Sequence, residues 1–270
     1  MKRSYLFSSW AALLPMLLAT AGCSDDGMPT PGPTATPLAV RLNAVSPEGS
    51  AATDAESAIH AVTGYRFEDG LLREVIPGIP SSDGGVYTFS SASPRGELHL
   101  AVNAAGIEAF GTLVPETTTL ETFRALEASL DEMTLDGLTM TGRLVLDGAG
   151  LSSASRSVNL RRSVARIDLL SRDAEVEVHS VTIRRIADRG YVAGDGTPST
   201  PAAASRKDFR RDYGEAPLTM ARETLLYLCE QPNDQFTYSY ELEGTSIEDK
   251  LNAIVTKIYG GKRVVLTANA

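Results

Sequence analysis

Hydrophobic and polar positions alternate most clearly from Ser157 to Ala187, where two β-rich runs, Val158–Leu170 and Ala174–Ile186, flank the polar turn Ser171-Arg172-Asp173. Val158 and Leu160 alternate with polar neighbours. The phase then slips by one residue, and Ala165, Ile167 and Leu169 carry the apolar face onward. Val176 and Val178 give way to Val181 and Ile183 in the same manner. Alternation predicts half-buried strands and a one-residue slip predicts a β-bulge. The many β-branched residues argue against a helix. The chain before this stretch reads as one β-domain and the chain after it as a second.

The same pattern predicts strands at Ala39–Val45, Ala58–Phe67, Leu71–Ile76, Val86–Phe89, Glu97–Asn103 and Leu138–Leu146, with Asp69-Gly70 as a two-residue hairpin turn. Thr118 and Glu121 have capping-box spacing, and Leu120, Phe123, Leu126 and Leu130 follow at helical intervals, which predicts a helix over 118–130. Beyond the seam, Tyr191–Ser205 reads as loop, Arg206–Tyr213 as a short basic helical turn, and Glu223–Glu230 and Phe236–Leu242 as strands. Thr245 to Glu248 repeats the capping-box spacing, and Ile247, Leu251, Ile254, Val255 and Ile258 predict an amphipathic helix stopped by Gly260-Gly261. Val264–Leu266 is a last short strand. Two cores are expected. Val40, Leu42, Tyr65, Leu98, Leu100, Val102, Phe123 and Leu144 belong to the first, and Ile167, Leu169, Val181, Ile183, Leu226, Leu228 and Ile254 to the second.

Composition narrows the class. A chain of 270 residues with 43% hydrophobic and 22% charged residues builds real cores, and a formal net charge of −9 argues against nucleic acid as a partner. The arginine pairs 161–162, 184–185 and 210–211 read as solvated strand and loop faces. Lys2-Arg3, the apolar run Tyr5–Leu18 and Thr20-Ala21-Gly22-Cys23 have the build of a secretory signal ending on cysteine. The end resembles a bacterial lipobox, which implies cleavage after residue 22 and acylation of Cys23. Acyl chains on that residue imply attachment to a membrane. Ser24-Asp25-Asp26 resembles a surface-export signal, and Met28–Pro37 is a Pro/Thr tether.

No GxSxG, HExxH, CxxC or phosphate-binding loop occurs, so neither a catalytic residue nor a cofactor or metal site is expected. His60, His99 and His179 lie far apart in sequence. Asp131-Glu132 reads as helix-end charge, and Cys229, inside an apolar run, as a buried free thiol.

The order of motifs resembles the fimbrillin family, the major and accessory subunits of type V pili. The resemblance is carried by the lipobox with Cys23, AVRLNAV (39–45), AESAIHAVTGYRFEDGLL (55–72), GELHLAVNAAG (96–106), GLTMTG (137–142), LRRSVARIDL (160–169) and TLLYLCEQPND (224–234). It implies a mainly β fold of two transthyretin-like β-sandwich domains, 38–155 and 156–270, with one or two decorating helices. The second domain is expected to be short of the family's last strands.

The resemblance also implies a lipid-anchored, surface-exposed protein of the outer membrane and fimbrium, a structural subunit or anchor that mediates adhesion. Its partners would be other fimbrial subunits, joined by strand addition once an arginine-specific protease has removed the first strand. The loop Ser46–Glu56 contains no arginine. Arg41 is then the candidate cleavage residue, although it lies inside the strand itself, and Arg66 lies in the next one. An alternative reading is a surface lipoprotein that captures glycans on tyrosine platforms such as Tyr191, Tyr238 and Tyr240.

Overall fold

The phase slip after Leu160 marks a change of sheet. In the computed structural model, the strand Arg156–Arg162 ends at Ser163 and Val164–Ser171 starts in a different sheet. Val158 and Leu160 pack into one core, and Ala165, Ile167 and Leu169 into another. The crossing is therefore not the expected bulge. Ser163 is buried at the corner, where its N–H donates to the Thr139 carbonyl (2.9 Å) and its hydroxyl to the Val192 carbonyl (3.2 Å), so both of its donors are satisfied. In the second run the slip is a true irregularity: register shifts at Val178/Ser180 and Ile183/Ile186.

The structure describes residues 35–44, 52–148, 156–171, 177–194, 199–229, 231, 240–245, 253–259 and 262–268, with the backbone alone from 240 onward. In chain order the first elements are β1 (Thr36–Ala44), α1 (Asp54–Ser57), β2 (Val62–Glu68), β3 (Leu71–Pro77), β4 (Ile79–Pro80), β5 (Val86–Ser91) and β6 (Arg95–Val102). A 3-10 turn at Glu108–Thr112 precedes α2 (Leu120–Arg124), β7 (Glu127–Ser129), α3 (Leu130–Thr134) and β8 (Met140–Asp147). Then come β9 (Arg156–Arg162), β10 (Val164–Ser171), β11 (Glu177–Ala187), β12 (Arg189–Tyr191) and β13 (Arg206–Asp212). The last are β14 (Arg222–Cys229), β15 (Tyr240–Thr245), β16 (Ala253–Tyr259) and β17 (Lys262–Ala268). The fold is mainly β.

The first half is one hydrogen-bonded sheet, ordered β3-β2-β6-β8-β9-β1-β5-β4, folded over on itself. The fold lies at β8–β9, which pair through Met140↔Arg162 and Thr141↔Arg161. Leu38, Val40 and Leu42 of β1, Phe89 of β5 and Val158 and Leu160 of β9 thereby share a core with Val62, Leu98, Leu100 and Met140. Gly142 permits the close approach, since a Cβ there would lie 2.6 Å from Val158 Cγ1. The hairpin turn forms as the sequence predicts, with positive φ at both Asp69 (52°) and Gly70 (75°).

The opposite face of β2 and β6 is apolar too. Tyr65, Phe67 and Ala101 pack there against Phe110, Phe123, Leu126 and Met133 of the helical layer. Ring centroids of Phe67 and Phe123 stand 5.1 Å apart. Tyr65 and Phe123, expected in the first core, thus belong to a separate one. That core also holds Val164, Val192, Ala193 and Cys229, so it reaches into the second half of the chain. There the sheets β14-β10-β16-β17 and β13-β11-β15 share a third core of Ile167, Leu169, Val181, Ile183 and Leu228.

Three expectations are corrected. The helix over 118–130 is broken in two. Thr119, not Thr118, caps α2 by accepting from the Thr122 N–H, and the chain extends again at β7 to pair with β12. Ser129 and Glu132 then form a capping box for α3, with Asp131 and Glu132 in its first turn. The basic turn at 206–213 is the strand β13. It lies at the edge of its sheet, where charged side chains guard an open ladder. Within 245–258 the part described is a strand, β16, seated between β10 and β17. Its Ile254-Val255-Thr256 run suits an interior strand better than a helix. Residues 246–252 lie outside the described residues, as does the Ile254 side chain.

Candidate functional site

β1 is an interior strand. Thr36–Arg41 pairs antiparallel with β5, from Thr36↔Ser91 to Arg41↔Val86, and Val40–Ala44 pairs parallel with β9, from Val40↔Arg156 to Ala44↔Leu160. Alternation puts Leu38, Val40 and Leu42 inward, at 1%, 0% and 5% exposure, while Pro37, Arg41 and Asn43 face out. Pro37 lacks an N–H and sits near the strand's start, where it does least harm to a ladder. The outward side chains bind sideways: Asn43 Nδ2 donates to Ser157 Oγ (2.7 Å) and Arg41 Nη1 to the Gly84 carbonyl (3.3 Å). Removal of β1 would leave facing edges of β5 and β9 unpaired and uncover the apolar side chains packed beneath it.

The turn beyond β1 is held differently. Thr53 caps α1, and Glu56 completes a capping box by accepting from the Thr53 N–H (2.7 Å). The Glu56 carboxylate is itself buried and receives Arg166 Nη1 (2.6 and 2.7 Å) and the Tyr227 hydroxyl (2.7 Å). Arg166 also donates to Asp168 (3.0 Å), which takes further bonds from Arg222 and from Thr224 Oγ1 (2.8 Å). Arg162 reaches the Glu56 carbonyl (3.0 Å) and Ser57 Oγ (3.2 Å). Burial pushes the Glu56 carboxyl up, but the bonds from Thr53, Tyr227 and Arg166 outweigh it and hold the group below the ordinary carboxylate range. Burial and the Glu56 partner push the Tyr227 hydroxyl up to about 12. The segment after β1 is thereby fastened to β10 and β14 in the second half.

Of the residues the sequence singled out, Arg41 stands in the middle of β1, hydrogen-bonded into the sheet. Cys23 lies outside the described residues, as do Ser24–Asp26, most of the loop 46–56 and the tyrosine at 238. Arg66 is buried in β2 and bound to Glu74 (2.7 Å) and Glu68 (2.7 Å). Cys229 is a free, buried thiol whose pKa burial pushes up to about 12, which makes it unreactive. His60 precedes β2, His99 is in β6 and His179 in β11; among the described residues no His, Cys, Asp and Glu group is arranged to hold a metal ion. The Glu56 cluster has no signature in the sequence beyond the Thr53–Glu56 spacing, because Glu56 and its partner Tyr227 are 171 positions apart.

No family model matches the chain, and no curated protein matches it. Solved structures do. The tip fimbrial protein Mfa3 from Porphyromonas gingivalis, truncated at its C-terminus, aligns with a TM-score of 0.50 and 15% identity over 87% of this chain and 81% of its own. A cell-adhesion candidate from Bacteroides eggerthii gives 0.49 and 18% over 89% and 80%, and a fimbrilin from Porphyromonas gingivalis 0.45 and 12% over 83% and 71%. The chain has the fold of the first of these.

Proposed function

We propose that this chain is a cell-surface fimbrial subunit of the anchoring kind, built as two β-sandwich domains and tethered to the outer membrane by lipid on Cys23. The observation that carries the reading is the seat of β1. It is an alternating strand, interior to its sheet, whose loss would open a socket with two free edges and an apolar floor. Such a socket takes a strand from another chain, with main-chain hydrogen bonds supplying affinity and alternate side chains supplying register. The fold shared with a tip fimbrial protein supports the fimbrial part of this reading. Arg41 is caught in ladders on both sides, which favours a chain that keeps its strand and ends an assembly at the membrane. Partners are other fimbrial subunits.

The test is the N-terminal residue and mass of the protein recovered from cell surfaces. Acylated Cys23 is expected, and Cys23→Ser should move the protein from the detergent phase to the soluble fraction. A start beyond residue 41 would make the chain a processed stalk subunit, and a mutant still held on membranes would remove the lipid anchor.

A further inference from the structure

Where α2 and the turn after β12 meet the outer faces of β6, β8 and β9, the strand that pairs with β1, lies a cleft of about 230 Å³. Four arginines line it: Arg124 from the end of α2, Arg143 from β8, and Arg161 and Arg162 from β9. Among the described residues no carboxylate lines it, in a chain whose net charge is −9. Two of the guanidiniums are fixed from behind. Arg143 is held by both oxygens of Glu97 (2.6 and 2.9 Å), and Arg162 by the Glu56 carbonyl and Ser57. Arg124, half-buried, makes no hydrogen bond or ion pair among the described residues. His99 adds little charge, because burial holds its imidazole below the ordinary range against the pull of Glu97. Tyr191 and Asn159 complete the wall, over buried Phe123 and Val192.

We infer that this cleft binds the carboxylate of a single acidic sugar residue, such as the end of an acidic glycan. Guanidinium is the side chain best matched to a planar carboxylate, which it holds through paired N–H bonds. The volume lies below the roughly 300–1,000 Å³ of sites for drug-sized ligands and suits one ring. The half-exposed Tyr191 offers an apolar face to the ring, and the Asn159 amide can both donate to and accept from its hydroxyls. No residue of β1 lines the cleft, so the assignment does not rest on assembly through β1.

Calorimetric titration of the full chain with glucuronate, N-acetylneuraminate, glucose and sulfate tests it. Both sugar acids should bind saturably, at least tenfold tighter than glucose, and more weakly as salt rises. Arg124→Glu should weaken the acids about tenfold or more with the fold retained, since Arg124 makes no hydrogen bond or ion pair among the described residues. Tyr191→Ala should weaken the sugar acids and leave sulfate alone. Absence of saturable binding, equal binding of glucose, or indifference to Arg124→Glu would overturn the site. Sulfate binding as tightly as the acids, untouched by Tyr191→Ala, would reduce it to an inorganic-anion site and overturn the sugar assignment.

Discussion

β1 and the capped turn just after it are neighbours in sequence held by opposite means. β1 is kept by apolar burial and ladder hydrogen bonds, with no ion pair in its inner face. The turn is kept by a buried carboxylate with partners from both halves of the chain. Ladder bonds and apolar contacts can be remade one for one by a strand of another chain. A buried ion cluster cannot, because any step that removes one partner strands the charge of the other. The difference shows how one stretch of chain can be exchangeable while the next stays fixed and keeps the halves together.

The sharpest break falls on the fixed region. Glu56→Ala should destabilise the protein by about 3–5 kcal/mol, the loss typical of a buried pair deprived of one member. Replacing Glu56 and Arg166 together by methionine should restore much of that, which denaturant melts can measure. If Glu56→Ala costs under about 1 kcal/mol, the value of an exposed pair, the turn is not held by its charge. Leu42→Ala comes next, at about 2–4 kcal/mol for a buried leucine. It should act on β1 first, so amide exchange ought to quicken in β1, β5 and β9 before the second half responds.

Acid separates the regions further. The folded Glu56 carboxyl sits below its ordinary value of 4.5, so its contribution is fully present above that pH. It is lost as pH falls through the lower folded value. Thermal stability should therefore drop with acid in the native chain, and the Glu56→Ala variant should lose less over the same window. An equal drop in both would place the acid-sensitive group elsewhere. Thr53→Ala removes only the cap hydroxyl and should cost about 1 kcal/mol.

The same contrast explains what the sequence made legible. β1 could be read because alternation is a local property of AVRLNAV, and one sheet face does the rest. Arg166 and Asp168 occupy the polar phase of β10, yet that face is buried, with Glu56 of α1 on Arg166 and Thr224 of the neighbouring β14 on Asp168. Period alone cannot report a second covering layer. It equally hid the helical layer over β2 and β6, where His99 and Ala101 are buried along with Leu98, Leu100 and Val102 of the other face. Apolar residues at 254, 255 and 258 satisfy a helix and an interior strand alike, and pairing with β10 decides for the strand.

The last prediction turns on Arg41, the residue that would mark β1 for removal. A protease binds its substrate extended, along several residues, and competes for the main-chain groups that β5 and β9 already use. Cleavage therefore requires β1 to leave its sheet first, and its rate tracks the population of that open form. In the native chain an arginine-specific protease should leave residues 38–57 uncut. In Leu42→Ala, a loss of about 3 kcal/mol raises the open population by about two orders of magnitude, and cutting after Arg41 should appear. Glu56→Ala should not favour that site over the other arginines, since it loosens the turn and not the strand. Ready cleavage of the native chain after Arg41, followed by ladders that resist detergent, would reverse the comparison. β1 would then be the part built to be lost, and the chain a stalk subunit instead of an anchor.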